Sequence, residues 1–199
     1  MKKGLVEIIG IIDMTGSMYN QTADTIGGFN AFIKEQKEVP GECRVSCTFF
    51  NSENTKRWLV DLPLEEVPDL TDKIYRAGGN TPLYDAIGNT IEEVGTRLAA
   101  TPEEDRPERV LVMIMTDGEE NWSKEYSLAE IIEMIARQRQ EFSWEFIFLG
   151  ADLDSFGQGA KLGIQHAVDY GGSTSRAYSV MSCAARSVRT SGKVEDKDL

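Results

Sequence analysis

Residues 5–20 run LVEIIGIIDMTGSMYN, an apolar stretch broken only by Glu7 and Gly10 that stops at Asp13 and continues through Thr15, Gly16 and Ser17. At eight residues, Leu5 to Ile12 falls far short of the roughly 20 needed to span a bilayer. It is also too continuously apolar for a strand with one wet face. It reads as a central parallel strand covered by helices on both sides, and it delivers a carboxylate and two hydroxyls into one tight turn.

Further strand-like runs follow: RVSCTFF (44–50), KRWLV (56–60), RVLVMIMT (109–116), WEFIFLG (144–150) and IQHAVDY (164–170). Helical periodicity lies between them. Ile26, Phe29 and Ile33 share one face, as do Leu83, Ile87, Ile91, Val94 and Leu98. Leu128, Ile131, Ile132 and Ile135 repeat the pattern, and Ala177, Val180, Met181, Ala184 and Val188 form a last helix face. This alternation predicts an α/β fold: an open, doubly wound, mostly parallel sheet of about six strands, Rossmann-like, with helices on both faces. The five residues NSENT (51–55) allow a hairpin but no crossover, so one edge strand is expected to be antiparallel. Residues 1–190 are expected to form one domain, with 191–199, SGKVEDKDL, as a disordered tail.

The chain has 199 residues, 41% hydrophobic and 27% charged, with a net charge of -12. That charge opposes binding to phosphate backbones, so nucleic acid is not an expected partner. MKKG resembles the basic start of a signal peptide, but Glu7 and the lack of a small-residue cleavage site argue for a first strand. No membrane association and a cytoplasmic location are the expectations. Cys43 and Cys47, four apart in a strand, stand about 13 Å from each other, too far for a disulfide. With Cys183 they are expected to be reduced, buried thiols. No second cysteine pair follows and His166 is the sole histidine, which does not complete a zinc set.

In doubly wound sheets, ligands bind beyond the carboxyl ends of the strands. Three polar loops meet that condition: DMTGS (13–17), GGNTPLYD (78–85) and TDGEEN (116–121). Asp13, Thr15 and Ser17 alternate, so an extended turn brings their oxygens to one side. Thr81 and Asp117 can arrive from the neighbouring loops. Each residue also has a local structural role open to it, because Ser17 can cap a helix, Thr81-Pro82 suits a helix start and Asp117-Gly118 suits a turn. Their conjunction at one sheet edge favours a shared ligand. Five hard oxygens of which two are carboxylates suit magnesium, with manganese or calcium as alternatives. With water-bridged carboxylates such an ion stays electrophilic and keeps a position open to an external carboxylate.

The three loops resemble those of the von Willebrand factor type A family. IIDMTGSM is similar to that family's first metal loop, Asp-x-Ser-x-Ser, with Thr15 in place of the first serine; GGNTPLYDAI is similar to its second and VMIMTDGEEN to its third. The resemblance implies a metal-ion-dependent adhesion site, with Thr15 and Ser17 as hydroxyl ligands, Thr81 direct or water-bridged, and Asp13 and Asp117 acting mostly through water. It implies a protein partner whose Asp or Glu completes the metal sphere, and no catalytic turnover. Tyr19 and Trp122 would form an apolar rim, while Glu119, Glu120 and Asn121 extend the third loop towards a partner. The rival reading is a haloacid dehalogenase-like phosphotransferase with Asp13 as aspartyl nucleophile. Met14 departs from that family's Asp-Lys-Thr-Gly-Thr loop, and no later acidic pair matches its magnesium loop.

Overall fold

The first strand, β1 (Lys2–Asp13), lies between β2 (Cys43–Phe50) and β4 (Pro107–Thr116), parallel to both. The computed structural model describes residues 1–151, 155–195 and 199. Its six-stranded sheet has the order β3-β2-β1-β4-β5-β6, with β3 spanning Lys56–Pro63, β5 Glu145–Gly150 and β6 His166–Asp169. Only the β2–β3 pair is antiparallel, as the five-residue link between them requires.

Side chains of β1 alternate between two cores. Val6, Ile8 and Ile12 pack in one with Phe29 and Phe32 of α1 (Thr22–Lys37) and Ala177 and Met181 of α5 (Thr174–Ser191). Ile9 and Ile11 pack in the other with Ile87 and Ile91 of α2 (Leu83–Ala100) and Ile131 and Ile135 of α3 (Leu128–Phe142). Burial on both faces is why β1 and β4 read as unbroken apolar runs. Glu7 is the exception. It is fully buried, bonded to Ser46 Oγ at 2.8 Å and ion-paired with Arg97 of α2.

Local signals set several boundaries. Ser127 and Glu130 form a reciprocal capping box at the start of α3, and Ser173 caps α5. At the other end of α5, Gly192 takes the left-handed conformation, φ 94°, that closes a helix.

The sequence reading needs four corrections. β1 begins at Lys2 and β3 runs on to Pro63, past their apolar runs, because ladder hydrogen bonds extend beyond side-chain burial. Between β5 and β6, where the sequence reading places no helix, the chain forms a short one, α4 (Ser155–Lys161). Ile132 of the α3 stripe is exposed, since a helix on a flat sheet buries a narrower face than its apolar pattern covers. Cys43 and Cys47 are buried free thiols, but Cys183 is exposed. Ser191 is the last residue of α5 and Val194 is buried, while residues 196–198 of the expected tail lie outside the described residues. No helix among the described residues is long and apolar enough to cross a membrane.

Strand order reverses between β1 and β4. Their carboxyl ends therefore flank the topological switch point, where the following loops diverge and leave a crevice.

Candidate metal centre

Asp13 is the last residue of β1 and is fully buried. Its Oδ1 accepts the Thr15 amide at 2.7 Å, its Oδ2 accepts Thr116 Oγ1 at 2.6 Å, and its carbonyl accepts the Tyr75 hydroxyl at 2.6 Å. The chain then turns over the sheet edge. Met14 is pinned through its carbonyl by Asn51 Nδ2 and the Gly78 amide, and Gly16 N donates to Gly79 O at 3.0 Å. A β-carbon at Gly16 would stand only 3.3 Å from Gly79 O, so this close approach of the first two loops favours glycine.

Past that contact the chain forms a 3₁₀ turn, Gly16–Gln21, before α1. Thr15 occupies its cap position without a side-chain capping bond, which leaves the hydroxyl for the site. Thr15 Oγ1 lies 3.1 Å from Ser17 Oγ, and Ser17 Oγ donates to Asp117 Oδ1 at 2.6 Å. Thr81 does not cap α2 either: the helix begins at Leu83, with Pro82 in the cap position. Its hydroxyl lies near that of Ser17, on the Gly118 side: a β-carbon on Gly118 would stand 3.5 Å from Thr81 Oγ1 and 3.9 Å from Ser17 Oγ. The helix-capping roles open to Thr81 and Ser17 in the sequence are thus not the ones they take.

Around a small octahedral cation with oxygens at 2.0–2.1 Å, neighbouring ligands stand about 3 Å apart. The Thr15–Ser17 separation has this spacing, and the shorter Ser17–Asp117 contact is a hydrogen bond between two atoms that a cation would share. Both oxygens of Asp13 already accept protein hydrogen bonds behind the hydroxyls, which suits an indirect role. Among the described residues no group of three His, Cys, Asp or Glu side chains is placed to hold a metal, so a metal at this position would have to draw on the hydroxyls beside Asp117.

Burial disfavours the charged form of both carboxylates at the site. Burial pushes the Asp13 carboxyl up to about 6; bonds from Thr116 and Thr15 oppose the rise, and Asp117 adds a smaller upward push. Burial also raises Asp117, against the bond from Ser17. A divalent ion between them would favour both charged forms.

The residues proposed to face a partner divide into two groups. Tyr19, 72% exposed, and Trp122, 45% exposed, stand open, with Lys124 Nζ 4.8 Å from the centre of the Trp122 ring. Glu119 is exposed. Glu120 and Asn121 instead turn part of their polar capacity inward: Glu120 accepts the amides of Tyr84, Trp122 and Ser123, while Asn121 Oδ1 accepts the Thr81 amide at 2.9 Å.

Sequence reasoning missed three supporting residues. Thr116 precedes Asp117 directly, and a hydroxyl on the last residue of a central strand was a usable signal. Gln21 joins Asp117 Oδ2, at 3.3 Å, to the hydroxyl of Thr174 at the start of α5. Tyr75 reaches Asp13 from a loop 62 residues on. Neither carries a local pattern that names its partner.

The fold is the one that the von Willebrand factor type A resemblance implies. No family model and no curated protein sequence matches the chain. Solved structures with a similar trace include two of proximal thread matrix protein 1 from the mussel byssus, one in crystal form 2 and one with a zinc-occupied MIDAS motif. Each is 16% identical with a TM-score of 0.49, over 73% of this chain and 38% of theirs. A third structure of that protein gives 14% identity and a TM-score of 0.47, over 74% and 36%. The matched region spans less than two fifths of those proteins.

Proposed function

We propose that this chain is a divalent-metal-dependent protein-binding domain in which a magnesium or manganese ion, with calcium as the alternative, bridges to an acidic side chain of a partner. Thr15, Ser17, Thr81 and Asp117 would hold the ion, with Asp13 behind them. The observation that carries this reading is the convergence of three uncapped hydroxyl side chains and Asp117 from separate loops, over a buried carboxylate whose pKa is raised to about 6. Hydroxyl-rich coordination leaves net positive charge on the ion, so a carboxylate from outside is its natural further ligand.

When bound, the ion would supply Lewis acidity towards that carboxylate. The chain's own residues do the rest. Asp13 and Thr116 hold the first loop in register with the end of β4, Gly16 lets it approach the second loop, and Tyr19 and Trp122 offer apolar surface beside the ion. Aromatic side chains of this kind anchor protein interfaces.

A phosphotransferase reading would need Asp13 as an accessible nucleophile. Full burial and the engagement of both its oxygens speak against that role. The test is divalent-dependent capture of partner protein from cells that make this chain, with wild type and Asp117→Ala compared. Capture lost with chelator and with the variant is expected; capture indifferent to both would remove the metal bridge. Hydrolysis of acyl or aryl phosphates abolished by Asp13→Asn would restore the enzymatic reading.

A further inference from the structure

Five consecutive backbone amides of the third loop, from Trp122 to Tyr126, all donate to two carboxylates. Glu120 Oε1 accepts Trp122 N and Ser123 N, both at 2.7 Å; Asp85 Oδ2 accepts Lys124 N at 2.8 Å, and its Oδ1 accepts Glu125 N at 2.9 Å and Tyr126 N at 3.0 Å. Asp85 belongs to the first turn of α2, the helix that follows Thr81. The join is reciprocal. Tyr84 N donates to Glu120 Oε2 at 2.9 Å, Asp85 N donates to Ser123 Oγ at 3.1 Å, and Ser123 Oγ donates to Glu120 Oε2 at 2.6 Å. Thr81 and Asn121 close the row, with Asn121 N donating to Thr81 O at 3.1 Å.

Two acidic side chains that could have faced solvent therefore fasten the second and third loops into one unit. Charged acceptors make stronger hydrogen bonds than neutral ones, and both sites are shielded from full hydration by the loop they hold. The first loop reaches Asp117 through the side chain of Ser17, and the turn that follows it through that of Gln21.

We infer that Asp85 and Glu120 are positioning residues that fix the spacing between Thr81 and Asp117 and so set which divalent ion the site prefers. This rests on the metal site proposed above. Magnesium and manganese demand short, near-octahedral coordination, whereas calcium accepts longer and more variable ligand distances, so selectivity between them depends on how rigidly the donors are held. A fastened pair of loops favours the smaller ion. A loosened pair keeps its donors but loses that preference.

The test measures Mn2+ and Ca2+ binding by calorimetry on the full chain for wild type, Asp85→Asn, Glu120→Gln and, as a charge-matched control, Glu125→Gln, in which the amide oxygen still accepts the Asn89 bond. Outer partners of metal sites typically change affinity by about 10- to 100-fold. We expect Asp85→Asn and Glu120→Gln to weaken Mn2+ at least about 10-fold while Ca2+ changes about 2-fold or less, with Glu125→Gln equal to wild type for both ions. Amide exchange in metal-free protein should show residues 124–126 losing protection in Asp85→Asn, and 122–123 in Glu120→Gln, while the β1 and β4 amides keep theirs, which separates a loosened loop from an unfolded chain. Parallel losses for both ions, losses matched by Glu125→Gln, or unchanged affinities would each overturn the positioning role and leave the site intact. Wild type that binds neither ion at millimolar concentration would overturn the site itself.

Discussion

Thr116 Oγ1 donates to Asp13 Oδ2 at 2.6 Å, joining the last residue of β4 to the last residue of β1. Thr116 Oγ1 also accepts the Gly118 amide at 3.1 Å, so the bond ties the buried carboxylate to the loop that carries Asp117. Such a bond favours the charged form of Asp13, yet burial outweighs it and holds the pKa near 6. The metal-free protein thus keeps a carboxylate in a place that disfavours its charge.

Stability should therefore depend on pH and metal together. The folded pKa of Asp13, about 6, exceeds its ordinary value of 3.8, so the folded state binds more protons between these limits. Its contribution to the metal-free protein is most favourable below about pH 4 and falls as pH rises through 6, a loss of about 3 kcal/mol by pH 7. A cation at about ten times its Kd returns about 1.4 kcal/mol. Thermal unfolding at pH 7.5 with and without millimolar MnCl2 should differ by a few degrees, and the difference should vanish below pH 5.5. A metal-induced shift that is equally large at pH 5 would remove Asp13 from the explanation.

Substituting the site should separate stability from binding. Asp13→Asn removes the buried charge while keeping an acceptor for the Thr15 amide, so the metal-free protein should gain about 1–2 kcal/mol at pH 7.5 and lose its response to Mn2+. Thr15→Ser should keep the response, because the hydroxyl stays, and Thr15→Ala should weaken it. Urea unfolding with and without metal reads all three; a Thr15→Ala protein that responds like wild type would mean that Thr15 is no ligand.

The fold was legible because each face of β1 and β4 is buried and the apolar runs report that directly. The five-residue link after β2 likewise dictated the antiparallel edge. The placement of Asp13, Thr15, Ser17, Thr81 and Asp117 at one sheet edge was legible because each stands at or after a strand end or before a helix. Gln21 and Tyr75 were not, since their roles depend on contacts 96 and 62 residues away in sequence. Asp85 and Glu120 were not legible as loop fasteners, for another reason. Acidic residues in exposed loops are ordinarily solvated, and only the path of the 120–126 backbone turns these two inward.

Gly28 offers a test in which two effects oppose. It lies inside α1, where alanine is favoured over glycine by about 1 kcal/mol. A β-carbon there would stand 2.2 Å from Cδ2 of Tyr178 in α5, a ring that is itself buried and has little space to retreat. Overpacking of this kind costs about 1–3 kcal/mol or more, so Gly28→Ala should destabilise despite the gain in helix propensity. Adding Tyr178→Leu should recover part of the loss. A Gly28→Ala protein more stable than wild type would show that α1 and α5 separate easily.

The buried Glu7 makes the last case, and its outcome depends on which partner is removed. Glu7 Oε1 takes bonds from Ser46 and Arg97, while Glu7 Oε2 and Arg97 Nε are buried without partners. Arg97 also lies 3.3 Å from Asp61, which pairs with Arg44, so the group ties α2 to three strands. Removing one member of a buried pair strands the other charge at a cost of about 3–5 kcal/mol, whereas replacing both with apolar residues of similar size is often neutral or better. Arg97→Met should accordingly unfold at markedly lower urea, and Glu7→Leu combined with Arg97→Met should return to within about 1 kcal/mol of wild type. If Arg97→Met alone lies within that margin, water reaches Glu7 readily and the pair contributes little to holding α2 on the sheet.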